Sequence, residues 1–361
     1  MKKNGKVELW RFIFSIAVLC FHVYKYLPGE EAYDGVVKLS FFSGGYLGVE
    51  FFFVLSGILM ASSVYYANER SRSLSLAAST TQFLRKKVSA LMPMHLAVFV
   101  LLFIGQFFVY KWSLFTAGKK LLHSIPGLFF LEMSGIRGMY LNDIEWYLSV
   151  MLISMLILYP LLRKWYSSFT RIIAPLLALL ILGYLSHDYE SLGQVKVWTP
   201  LGSKAILRGL SEIALGTVCF EVSRVLKKKT MGRCARALIT AIETVCLIIA
   251  IGFCLITRPK MYDVYVLGFM AVALTCAFTG QSYGESLFQN KLCAYLGKLS
   301  LPLYLVQLIP IRLIPKLAGE LPMKVQMILV VIATLILAVI FAAGNDLYFS
   351  WRKKKAQTAA A

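Results

Sequence analysis

The residues that could do chemistry begin in the first apolar run, from Glu8 through Arg11 and Ser15 to His22. An α-helix advances about 100° and rises about 1.5 Å per residue, so the steps from Arg11 to His22 return to within roughly 20° of the start, about 16 Å farther along the axis. Glu8, three residues before Arg11, and Ser15, four after it, fall near the same stripe. An acid, a guanidinium and an imidazole on one face of a membrane helix are costly there and should look into a cavity or a partner. An imidazole takes and returns protons near neutrality, which suits a general base. A structural reading fits the same residues: a Glu8–Arg11 pair at the membrane edge and a hydrogen-bonded packing histidine.

Other candidates lie farther along. Gly48-Val-Glu50-Phe-Phe-Phe-Val-Leu-Ser56-Gly57 puts a carboxylate into a second apolar run, where it needs a partner. Its glycines suit close helix packing. Arg208 precedes Glu212 by one helical turn, a candidate buried ion pair. Asn142-Asp143-Ile-Glu145-Trp146 sets acids beside an aromatic ring. That pattern suits a carbohydrate surface, and equally an aromatic belt at the membrane interface. Arg85, Lys86 and Lys87 form a cationic cluster. It reads as an anchor on anionic lipid or as a site for the phosphates of a nucleotide-bearing donor. His95, His123 and His187 are unclustered and read as non-catalytic, and no phosphate loop, serine elbow or Cys/His metal spacing occurs.

The elements that must position these residues are transmembrane helices. The 361 residues are 58% hydrophobic and only 16% charged, with mean hydropathy +0.70. Soluble domains run at about 45–50% apolar and about 25% charged. The net charge of +20 reads as cytoplasmic loop charge rather than as a nucleic-acid surface. The seven cysteines stand singly, without a disulfide or metal pattern. The first run follows a basic amino terminus but no small-residue cleavage site, so it reads as a retained span.

At about 20 apolar residues per crossing, ten spans are expected: 9–27, 41–65, 88–110, 146–163, 171–187, 205–224, 237–257, 262–280, 292–314 and 325–350. With both termini cytoplasmic, 22 Lys and Arg fall inside and 13 outside, including Lys2, Lys3, Arg70 and Arg72 inside. The fold class is therefore all-α: one multi-pass domain over 6–350 and a basic cytoplasmic tail over 351–361. The apolar piece Ile125 to Leu131 is too short to span and suits an interfacial or re-entrant segment.

Read in order, these segments resemble membrane-bound acyltransferase family 3. Glu8, Arg11 and His22 match the spacing of that family's first span, and Gly48 to Gly57 its second, with Glu50 for the usual aspartate. Phe83 to Pro93, Trp146 to Pro160, Leu207 to Gly216 and Leu296 to Leu305 resemble later motifs. Lys87 and Ala90 stand where the family often has two arginines, and Gln307 where many members have a histidine.

The resemblance implies transfer of an acyl group, usually acetyl, from cytosolic acetyl-CoA or another acyl-CoA. The acceptor is a hydroxyl of an extracytoplasmic or lipid-linked carbohydrate, and no metal takes part. It implies His22 as base or transient acyl carrier and Glu50 as the group that holds it. Arg11, oriented by Glu8, would bind the donor with Arg85, Lys86 and Lys87. Asp143, Glu145, Trp146 and Arg208 would face the acceptor. The expected partners are acyl-CoA, the carbohydrate, lipid of the cell membrane and polysaccharide-synthesis proteins. The alternative is a transporter or flippase for a lipid-linked saccharide, although no inverted repeat is evident.

Overall fold

The computed structural model describes residues 4–27, 42–69, 74–136, 138, 140–189, 191–256 and 260–358. Lys2, Lys3, Arg70, Arg72, the expected span limits at 41 and 257, and tail residues 359–361 lie outside the described residues. Asn4 opens α1 (Gly5–Tyr26): its side chain accepts from the Lys6 backbone N–H at 3.1 Å, satisfying a donor that the first turn leaves free. There follow α2 (Gly48–Glu69), α3 (Leu76–Val109) and the short α4 (Leu114–His123). Next come α5 (Trp146–Lys164), α6 (Tyr166–Tyr189) and a two-residue hairpin, β1 (Trp198–Thr199) on β2 (Gly202–Ser203). The chain continues through α7 (Lys204–Lys227), α8 (Arg233–Leu255), α9 (Asp263–Thr279), α10 (Lys291–Val306), α11 (Leu308–Leu317) and α12 (Met323–Thr358). The expected basic tail continues the last helix as far as Thr358.

The protein is all-α and multi-pass. Among the described residues seven helices (α1, α2, α3, α5, α6, α8 and α12) are long and apolar enough to cross a membrane, and the bent pair α10–α11 makes an eighth. The expected count was ten. The other two segments are helices as well, but α9 has only 17 residues and α7 carries Lys204, Arg208, Glu212, Glu221 and Arg224. Those charges do not face lipid, because α7 is packed between α2, α5, α6 and α9. The outer helices show the reverse pattern. Val100 and Ile104 on α3, Val245 and Ile248 on α8, and Ile332, Ile336 and Ile340 on α12 are exposed, apolar faces that suit lipid. α4 and the turn after it expose Leu114, Phe115 and Phe129, as an interfacial segment should.

Two glycines let α2 and α7 touch backbone to backbone. A Cβ on Gly57 would lie 2.1 Å from the Ile213 carbonyl oxygen, and one on Gly216 would lie 2.1 Å from that of Val54. The last motif segment works in the same way. A Cβ on Gly297 of α10 would lie 2.8 Å from the Glu8 Cα, so α1 packs on α10 with Glu8 against the glycine. α10 ends because of its sequence: Pro310 has no N–H for the Val306 carbonyl, and its ring crowds that carbonyl. The axis turns by 53° between α10 and α11, and Gln307 stands in the bend.

Gly216→Val should destabilise the protein by about 1–3 kcal/mol, the usual penalty of overpacking, and lower its melting temperature in detergent. Gly183→Ala is the control. Nothing lies within 4 Å of its added carbon, so the melting temperature should hold or rise.

Candidate active site

A cavity of about 540 Å³ opens between the C-terminal end of α1 and the N-terminal ends of α2 and α5. His22, Asp143, Trp146 and Arg208 all line it, joined by Tyr26, Tyr304 and the loop 191–197. Four expected site residues therefore meet in one chamber although 186 residue numbers separate the first from the last.

His22 is buried, 8% exposed, and its Nδ1 lies 3.1 Å from Gln307 Oε1. Gln307 Nε2 donates to the Tyr304 carbonyl at 2.9 Å, so its oxygen is the end turned toward the imidazole. An amide oxygen can only accept, so Nδ1 carries the proton and the Nε2 lone pair is left for chemistry. The residue expected to hold His22 was Glu50, and the structure corrects this. Glu50 is bound to Arg208 instead.

Arg208 is 1% exposed, and Glu50 and Glu212 are fully buried. Arg208 Nε donates to Glu50 Oε2 at 2.8 Å and to Glu212 Oε1 at 3.1 Å, and Nη2 pairs with Glu50 Oε1. The result is a two-pronged bridge between α7 and α2, the arrangement in which a guanidinium binds a carboxylate most tightly. The guanidinium also lies 5.4 Å from the Trp146 ring centroid. Its Nη1 donates to the Leu192 carbonyl at 2.9 Å. Leu192 N and the Ser191 hydroxyl donate to Asp263 at 2.8 and 3.0 Å. The loop over the cavity is thus tied to α7 on one side and to α9 on the other. Within that loop Gln194 takes φ +54°, a costly conformation for a residue with a Cβ.

The outer rim is ionic. Asp143 faces Lys196 at 3.6 Å and Arg312 at 3.8 Å, and Tyr26 donates to it at 3.5 Å. Glu145 turns elsewhere, contrary to expectation. It pairs with His95 Nδ1 at 2.6 Å and accepts from Asn142 at 2.9 Å, both partners being buried. His95 therefore has a structural task, holding α3 against the start of α5.

Glu8 and Arg11 do not line the cavity. They pair at 2.9 Å toward the other end of α1, with Glu8 on Gly297. Arg11 is close enough to Lys87 for the two charges to repel. Arg85 and Lys86 are exposed on α3, and Lys87 lies over the Phe83 ring. The expected donor residues thus form a separate cationic group at the opposite end of the same helix. The sequence reading missed Gln307 as the partner of His22, and it missed the loop 191–197. A glutamine within an apolar segment between Pro302 and Pro310 was the available signal for the first. The loop carries none.

The sequence profile of an acyltransferase domain, acyltransferase family 3, matches residues 4–343. Comparisons with curated proteins and with solved structures returned no match.

Removing Arg208 alone should be severe, because it leaves two buried carboxylates with no counter-charge; losses of about 3–5 kcal/mol are typical. Arg208→Met should abolish the monodisperse peak in size-exclusion chromatography. Adding Glu50→Gln and Glu212→Gln should restore much of it.

Proposed function

Because this chain belongs to acyltransferase family 3, we propose that it moves an acyl group, acetyl above all, from cytosolic acyl-CoA to a carbohydrate hydroxyl beyond the cell membrane. Both termini would then be cytoplasmic. The observation that carries the reading is His22: a buried imidazole with its Nδ1 proton committed to Gln307, lining a chamber with a tryptophan, tyrosines and an acid.

In this reading the acceptor hydroxyl enters from the rim marked by Asp143 and Lys196. His22 Nε2 takes the hydroxyl proton as the oxygen attacks the thioester carbonyl. The C–S bond breaks, and the CoA thiolate recovers the proton from the imidazolium. The same lone pair could instead attack the thioester and expel CoA thiolate, giving an acyl imidazolium; the acceptor oxygen then takes the acyl group as the C–N bond breaks, and its proton passes through the freed Nε2 to the thiolate. Trp146 offers an apolar face for a sugar ring. Arg208, neutralised by Glu50 and Glu212, keeps that ring and the roof loop in place.

The donor would bind at the other end of α1. Arg11, with Lys87, Lys86 and Arg85 nearby, would face the phosphates of CoA. About 16 Å of helix separates Arg11 from His22, a span suited to a long, thin pantetheine arm. Glu8 holds the guanidinium in place. Anionic lipid would contact the outermost of these cations, and polysaccharide-synthesis proteins are natural neighbours for such an enzyme.

Glycan mass spectrometry on a deletion strain should show loss of one acyl mass, restored by the wild-type gene. His22→Ala should fail to restore it and should lower turnover by at least ~10²-fold while remaining membrane-inserted. Full activity of that variant would refute the reading. Gln307→Leu should lower kcat roughly tenfold, the worth of one hydrogen bond. Arg11→Ala should raise KM for acetyl-CoA and leave the acceptor KM unmoved.

A further inference from the structure

A second cavity, about 250 Å³, adjoins the first on the same face and shares Val195 and Lys196 with it as a common wall. Glu132, Tyr140, Trp198 and Ser203 line it. None of these residues has a part in holding His22 or Arg208.

Its construction is specific. Glu132 is 8% exposed, and among the described residues its Oε2 is buried without a hydrogen-bond partner. A buried carboxyl oxygen with no partner is costly, and here it borders an open space. Burial, reinforced by the negative charges of Glu145 and Asp143, pushes the Glu132 carboxyl well above the usual carboxylate range. A carboxyl in either form accepts from a hydroxyl, and the raised pKa disfavours the charge a cation would need. Trp198 supplies the complementary surface. The residue is 62% exposed although its backbone is fixed in the hairpin, where Thr199 Oγ1 donates to the Gly202 carbonyl at 2.9 Å. The ring edge lies over Gly135: a Cβ there would be 3.0 Å from Trp198 Cη2, and φ is +91°, so only glycine suits the position.

An exposed aromatic face beside a buried hydrogen-bonding group is the combination that binds a sugar ring, through its C–H face and its hydroxyls together. We propose that this cavity is a second glycan subsite, so that the acceptor is a chain of at least two sugar residues, one at His22 and its neighbour at Glu132 and Trp198. The shared wall at Val195 and Lys196 is the point over which the chain would pass. The inference rests on the carbohydrate reading above and adds the acceptor's size to it.

The test uses unmodified glycan from the deletion strain, depolymerised to monosaccharides and to short oligosaccharides, with purified full-length protein and acetyl-CoA. Oligosaccharides should have KM values about tenfold below those of the monosaccharides, the scale of one aromatic stacking contact. Trp198→Ala and Glu132→Leu should each close that gap, and Trp198→Phe should keep part of it. In all three variants KM for acetyl-CoA should match the wild type, which also shows that they are folded. Equal KM values for monosaccharide and oligosaccharide in the wild type would overturn the subsite, as would an undiminished gap in both Trp198→Ala and Glu132→Leu. Failure to acylate any size of glycan would instead refute the carbohydrate reading, and the subsite with it.

Discussion

A guanidinium shut inside a helix bundle must be neutralised where it stands, and much of this structure follows from that need. Arg208 is satisfied by Glu50 on α2, by Glu212 one turn along its own helix and by the Leu192 carbonyl of the roof loop. Water cannot take the place of any of these partners, because all three side chains are buried. The bridge therefore sets the register of α2 against α7, and it anchors one side of the loop that covers the cavity. Gly57 and Gly216 make the bridge reachable by bringing the two backbones together. The charges and the glycines are two parts of one device: close approach shortens the ion pair, and the ion pair rewards close approach.

The second determinant is the break between α10 and α11. A continuous helix would point every side chain along one regular surface. The interruption imposed by Pro310 turns the axis by 53° and leaves Gln307 at the corner, where it reaches across to His22. The imidazole therefore donates its Nδ1–H to the oxygen of a neutral amide. A carboxylate in that place would favour the imidazolium, whereas an amide oxygen orients the ring without adding charge to the cavity. The partner matters to the chemistry because it selects Nε2 as the reactive nitrogen.

The two ends of α1 perform different tasks. One end carries a carboxylate–guanidinium pair beside a cationic stretch of α3, and the other presents an imidazole to a roofed cavity. A single rigid helix holds the two a fixed distance apart. Rim charges at Asp143, Lys196 and Arg312 then mark the side from which a polar ligand can approach without crossing apolar surface.

The order of residues alone shows an all-helical, multi-pass protein. Composition and apolar run length report directly on transfer from water to lipid, and that transfer is a local property of each segment. It also placed His22, Asp143, Trp146 and Arg208 on a candidate list, because ionisable or amphipathic groups beside apolar runs are costly unless they are used. What it could not decide was pairing. Glu50 was expected beside His22, yet it binds Arg208, and Glu145 turns to His95 rather than to the cavity. Helical spacing fixes which residues share a face of one helix. It says nothing about which face of another helix meets it, since that depends on glycine contacts and bends contributed by distant segments. For the same reason a helix as charged as α7 can stand at the centre of the bundle: which surfaces meet lipid and which meet protein is settled by packing between distant segments.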